Sequence, residues 1–120
     1  MKKILIVDDS VSMRKMVGYC LRQAGFDVME AEHGQDALDK LKGVVVDLII
    51  TDLNMPVMDG ITLIQNVRKR ADMKTKPILM LTTETLGSKK EEGKAAGATG
   101  WIVKPFEPEK LLATVARVLP

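Results

Sequence analysis

The chain has 120 residues, 46% hydrophobic and 28% charged, the size and balance of one packed domain spanning residues 1–120. A net charge of +2 excludes an electrostatic case for nucleic acid or an anionic membrane surface. A lone cysteine, Cys20, excludes an intrachain disulfide and a cysteine-rich metal site.

The opening Met1-Lys2-Lys3-Ile4-Leu5-Ile6-Val7 faintly imitates a signal peptide, but its apolar run stops at Asp8-Asp9. No segment reaches the length of a membrane span, so a cytoplasmic protein is expected. Candidate strands are Lys3–Val7, Asp27–Ala31, Leu48–Thr51, Pro77–Leu81 and Gly100–Val103. Runs such as Ile4-Leu5-Ile6-Val7 are apolar without alternation, as expected of strands covered on both faces.

Between these strands lie helical patterns. Met13, Met16, Val17, Cys20, Leu21 and Ala24 recur at helical spacing, and Gly25 is placed to end that helix. Gln35–Lys42 puts Ala37, Leu38 and Leu41 on one side, and Ile61–Arg70 does the same with Ile61, Ile64 and Val67. Ser88–Ala96 is a marginal helix, charged and interrupted by Gly93, which must draw its stability from docking. Pro108 opens the last helix, with Leu111, Leu112, Val115, Val118 and Leu119 inward. Strand and helix alternate throughout, which argues for an α/β domain with a parallel sheet and helices on both faces. Aromatic residues are only 3%, so the core is aliphatic.

Ligands of open parallel sheets bind beyond the carboxyl ends of the strands. Asp8 and Asp9 follow the first strand, Asp52 and Asn54 the third, Thr82 and Thr83 the fourth, and Lys104 the fifth. Taken singly, each has a structural reading, such as Asp8 or Ser10 capping a helix. Together they form a set. Three carboxylates on one edge repel unless a cation compensates, and an all-oxygen site with few carboxylates suits Mg2+. With Lys104 and Thr82 available for phosphoryl oxygens, the set fits a phosphorylated carboxylate, with Asp52 as nucleophile. No Gly-x-x-x-x-Gly-Lys-Ser/Thr stretch or dinucleotide fingerprint is present, so the phosphoryl donor is expected to come from elsewhere.

Ile6-Val7-Asp8-Asp9-Ser10, Asp52-Leu53-Asn54-Met55-Pro56 with Asp59-Gly60, Leu81-Thr82-Thr83-Glu84, and Ala98-Thr99-Gly100-Trp101-Ile102-Val103-Lys104-Pro105-Phe106 carry a further signal. In these motifs and their order, the chain resembles the receiver domain of bacterial two-component response regulators, of the stand-alone chemotaxis type. The resemblance covers essentially the whole chain. It implies a doubly wound (βα)5 flavodoxin-like fold with strand order 2-1-3-4-5. It also implies Asp52 as phosphoacceptor, with Mg2+ contacted by Asp9, Asp52 and the backbone carbonyl of Asn54, and by Asp8 directly or through water.

Lys104 and Thr82 would hold phosphoryl oxygens, and Lys104-Pro105 would be cis. Trp101 takes the place of an aromatic residue that swings inward when Thr82 is drawn to the phosphate, reshaping the face built from the last two strands and helices. Asn54 and Glu84 would modulate loss of the phosphate to water. The implied donor is a phosphohistidine on a sensor histidine kinase, and the implied output is a downstream partner such as the flagellar motor switch. With the chain ending at Pro120, that output is expected to pass through a separate protein or an assembly; a monomer is expected. Trp101 departs from the Tyr or Phe of many members.

Two rival readings accompany this one. The chain could be a phosphate sink or phosphorelay intermediate with no output of its own. An aspartyl-nucleophile phosphatase needs an acid two residues after its nucleophile, and Asn54 cannot donate a proton as a general acid. Self-catalysed phosphoryl transfer and autodephosphorylation, rather than turnover of external substrates, are therefore expected. His33, the only histidine, reads as a solvated loop residue, and Cys20 as an inert thiol on the inward face of its helix.

Overall fold

The computed structural model describes residues 1–83 and 88–119. Five parallel strands form one sheet: β1 (Lys3–Val7), β2 (Asp27–Ala31), β3 (Leu48–Asp52), β4 (Ile78–Thr82) and β5 (Gly100–Val103), in the order β2-β1-β3-β4-β5. The helices are α1 (Val11–Gln23), α2 (Gly34–Lys40), α3 (Gly60–Arg68), α4 (Ser88–Ala96) and α5 (Pro108–Val118), with a short 3-10 turn at Ala71–Met73. This is the flavodoxin-like arrangement that the resemblance implied.

Apolar runs without alternation fill two cores at once, because neighbouring strand residues point to opposite faces. Leu5, Val7, Ile49, Ile78 and Met80 pack with Ala37 of α2 and Leu63, Ile64 and Val67 of α3. Ile4, Ile6, Leu48, Ile50, Leu79, Leu81 and Ile102 pack with Val17 and Leu21 of α1 and Leu111 and Val115 of α5.

Local chemistry places the helix ends. Ser10 caps α1 by accepting the Met13 N–H, and Asp59 caps α3 by accepting the Thr62 N–H. Helix α1 stops at Gln23, and Gly25 adopts φ +94 just beyond it. Gly93 explains how the charged α4 docks: a Cβ there would run into the Met80 thioether, so its absence lets the helix sit directly on β4.

Several expectations are corrected. Met16 and Ala24 point outward, because the buried stripe of α1 is narrower than its apolar spacing and centres on Val17, Gly18 and Leu21. The fourth strand is Ile78–Thr82, shifted by one from Pro77–Leu81, since Pro77 has no N–H for the ladder while the Thr82 carbonyl accepts the Lys104 N–H at 2.8 Å. The third strand extends to Asp52, which registers with Leu81. Asp52 and Thr82 therefore occupy the last rungs of the sheet rather than the loops after it. His33 is half-buried and caps α2, its Nδ1 accepting the Asp36 N–H at 3.1 Å.

Candidate functional site: an acidic pocket at the carboxyl edge of the sheet

Asp8, Asp9, Asp52, Thr82 and Lys104 are delivered by the ends of β1, β3, β4 and β5. One carboxylate oxygen from each of Asp8, Asp9 and Asp52 falls within 4.8 Å of the others. Asp8 and Asp52 are buried and Asp9 is exposed, so the cluster opens to solvent on one side. The Lys104 ammonium, on a side chain only 15% exposed, sits 3.4 Å from Asp8 Oδ2 and 3.3 Å from Asp52 Oδ1. The Lys104–Pro105 peptide is cis.

The two buried carboxylates are aimed by the backbone. Asp8 Oδ1 accepts the Ser10 N–H at 2.9 Å, and Asp52 Oδ1 accepts the Leu53 N–H at 2.8 Å. After Asp52 the chain turns tightly into α3: Gly60 N–H donates to the Leu53 carbonyl, and a Cβ on Gly60 would collide with the Asp52 carbonyl. Within that turn Val57 holds φ +71 and is exposed, while Met58 N–H donates to the Pro56 carbonyl at 2.7 Å. A positive φ in a β-branched residue is strained, and here it closes the turn that carries Asn54 past the pocket.

Burial and the neighbouring Asp8 raise the Asp52 carboxyl above the ordinary carboxylate range, while Lys104 works against that rise. Three carboxylates face one ammonium, which leaves a formal deficit of two positive charges. A hard divalent cation bound by oxygen fits that deficit, with Asp8, Asp9 and Asp52 as the residues able to hold it.

Asn54 is exposed in the loop beyond Asp52. Thr82 is buried, one residue past the register partner of Asp52. Trp101, registered with Met80 on β5, is 40% exposed, and the Lys90 ammonium lies 4.6 Å from the centre of its ring. The structure therefore places Asp8, Asp9, Asp52, Thr82 and Lys104 around one edge and Trp101 on the outer surface of β5. Glu84 falls outside the described residues. The sequence pattern did not reveal Arg14, whose guanidinium donates to the Asp8 carbonyl at 2.7 Å from the second turn of α1.

This geometry has known counterparts. The response regulator receiver domain matches residues 4–116 of the chain. The protein belongs to the receiver-domain family. Chemotaxis protein CheY-3 of Vibrio cholerae serotype O1 is 46% identical over 105 residues, covering 87% of this chain and 81% of that relative. The solved chemotaxis response regulator CheY4 of Vibrio cholerae is 54% identical with a TM-score of 0.95, covering 98% of both chains. The receiver domain of the sensor histidine kinase PA1611 from Pseudomonas aeruginosa PAO1 was solved with a magnesium ion coordinated in its active site cleft. It is 26% identical with a TM-score of 0.91, covering 98% of this chain and 97% of its own. Among the described residues of this receiver, no helix is long and apolar enough to cross a membrane.

Proposed function

We propose that this receiver is a phosphorylation-dependent signalling switch of chemotaxis that accepts a phosphoryl group on Asp52 from a sensor histidine kinase. The observation that carries the reading is the Lys104 ammonium bridging Asp8 and Asp52 inside a three-carboxylate pocket at the sheet edge. That arrangement suits a nucleophilic carboxylate which must be held beside other negative charge.

In the transfer, an Asp52 carboxylate oxygen forms a bond to phosphorus as the bond from phosphorus to the donor imidazole nitrogen breaks. The electron pair of that bond stays on the imidazole. Lys104 neutralises charge spreading over the phosphoryl oxygens, and the Leu53 N–H holds the carboxylate in line. Mg2+ held by Asp8, Asp9, Asp52 and the Asn54 carbonyl would supply the remaining positive charge. The magnesium seen in the Pseudomonas relative and the acid cluster here support that assignment.

On the product, Thr82 would donate to a phosphoryl oxygen and vacate space for Trp101 to turn inward. That turn separates the indole from Lys90, a contact of about 0.5–1 kcal/mol at an exposed site. The repacked face of β4, α4, β5 and α5 would then bind a separate partner, for which the flagellar motor switch is the candidate. Asn54 and Glu84 would set the lifetime of the phosphate. The protein would work in the cytoplasm, as one domain and as a monomer.

The test is intact mass after incubation with magnesium and acetyl phosphate, with Asp52→Asn alongside. The reading expects one added phosphoryl group in wild type only, abolished by chelator. No gain, even with a sensor kinase supplied, would reject it.

A further inference from the structure

Asp8 is held at every polar group. Its N–H donates to the Ala31 carbonyl at 3.1 Å, and its carbonyl accepts from Arg14 Nη1 at 2.7 Å. Its Oδ1 accepts the Ser10 N–H and its Oδ2 faces Lys104. Three of these partners belong to the sheet, the adjoining turn and the pocket itself. Arg14 is different, because it reaches back from the body of α1.

Its guanidinium is itself paired with an acid. Arg14 Nε lies 3.4 Å from Glu30 Oε1 on β2, and the two side chains are only 12% and 14% exposed. Glu30 is pinned in turn by Lys15 and Arg22, each at 3.2 Å. Burial opposes the charge on Glu30, but Lys15 and Arg22 hold its carboxyl below the ordinary range. Glu30 Oε1 has no hydrogen-bond partner among the described residues, so it holds the guanidinium by charge, and the rigid planar fork drawn to that side presents Nη1 to the Asp8 carbonyl.

The carbonyl so held belongs to the peptide that joins Asp8 to Asp9. Mutual repulsion of the carboxylates favours any rotation of that peptide that separates them. We propose that Arg14, held near Glu30 by charge, is a positioning residue that fixes the Asp8–Asp9 peptide so that both carboxylates converge with Asp52 on a divalent cation. The proposal rests on the magnesium reading of the pocket.

The sign of the effect separates positioning from plain electrostatics. Removing a positive charge beside a cation site tightens cation binding, whereas loss of ligand alignment weakens it. The experiment is calorimetric titration of the metal-free full chain with magnesium, comparing wild type, Arg14→Met, Arg14→Lys and Lys15→Met. Groups that orient metal ligands are typically worth about 10–100-fold in affinity, and an arginine acting on a backbone carbonyl should fall near the lower bound.

Arg14→Met is expected to bind magnesium about tenfold more weakly. Arg14→Lys keeps the charge but loses the fork, and is expected to bind several-fold more weakly. Lys15→Met loses an ion pair to Glu30 without touching Asp8, and is expected to bind as tightly as wild type or tighter. Arg14→Met binding as tightly as wild type overturns the proposal, as does Lys15→Met weakening binding equally. If Arg14→Met does not fold, Arg14→Lys decides, and wild-type affinity there overturns it. Wild type that takes up no magnesium at all overturns the reading of the pocket together with the proposal, a result distinct from the others.

Discussion

Replacing Lys104 with methionine keeps most of the side-chain volume and deletes the ammonium that sits between Asp8 and Asp52. At 3.3 Å and an effective dielectric constant of about 20, the attraction to Asp52 alone is roughly 5 kcal/mol before desolvation. Desolvating the ammonium offsets several kcal/mol of that, and removing one partner of a buried pair typically costs about 3–5 kcal/mol. Because the pocket opens on the Asp9 side, about 3 kcal/mol is expected in the metal-free protein.

Asp52 sets the pH dependence of that loss. Burial already raises its carboxyl and Lys104 restrains the rise, so without Lys104 it climbs further and takes up a proton more readily. The penalty should be full at neutral pH and shrink as the medium is acidified. Urea unfolding in chelator is the assay. With a slope of about 2 kcal/mol/M, the midpoint should fall by about 1.5 M at neutral pH and by less at pH 5. In an Asp52→Asn background the loss should shrink, because one of the stranded charges is gone. A loss under about 0.5 kcal/mol at neutral pH, or one that grows on acidification, would refute the reasoning.

Four further outcomes are expected. Asp52→Asn should stabilise the metal-free protein at neutral pH. A carboxyl raised above its unfolded value loses stability as pH climbs through its folded pKa, and asparagine has nothing to lose. The gap should close below about pH 4, and a gap constant across a pH series of unfolding curves would contradict it. Thr82→Ala should accept phosphate yet switch only partly. Two hydrogen bonds to a charged group supply roughly 3–6 kcal/mol against about 5.5 needed for a full shift, so losing one leaves too little. The emission of Trp101, the only tryptophan, should then change less on phosphorylation than in wild type.

Gly93→Ala should destabilise by about 1–3 kcal/mol despite alanine's better helix propensity, because the new methyl group collides with buried Met80. A thermal melt at or above wild type would mean that α4 can shift off β4. Arg68→Met should cost about 2–3 kcal/mol and speed amide exchange near Gly97 and Lys76, since Arg68 donates to the carbonyls of Gly97, Met73, Lys74 and Lys76. Unchanged exchange there would show that those carbonyls have found other donors.

The alternation of doubly apolar strands with amphipathic helices was enough to read the α/β class, the parallel sheet and nearly every element from the chain alone. It also sent Asp8, Asp9, Asp52, Thr82 and Lys104 to one edge, because parallel strands share their direction and the residue ending each run is visible locally. Strand order came from the resemblance, since periodicity does not encode which strands are neighbours; the register pairs Ile4 with both Val28 and Leu48.

Tertiary structure decided what depends on distant partners. Charged α4 can dock only because Gly93 meets Met80, and a glycine inside a polar run carries no local sign of that fit. Arg14 carries no local sign of its role, because it depends on β2 placing Glu30 beside it and β1 turning the Asp8 carbonyl toward it. His33 became a helix cap by lying at hydrogen-bond distance from Asp36 N–H. Apolar periodicity is repeated along each element and can be read from within it. A hydrogen bond or a steric fit exists only between two surfaces, and folding alone brings them together.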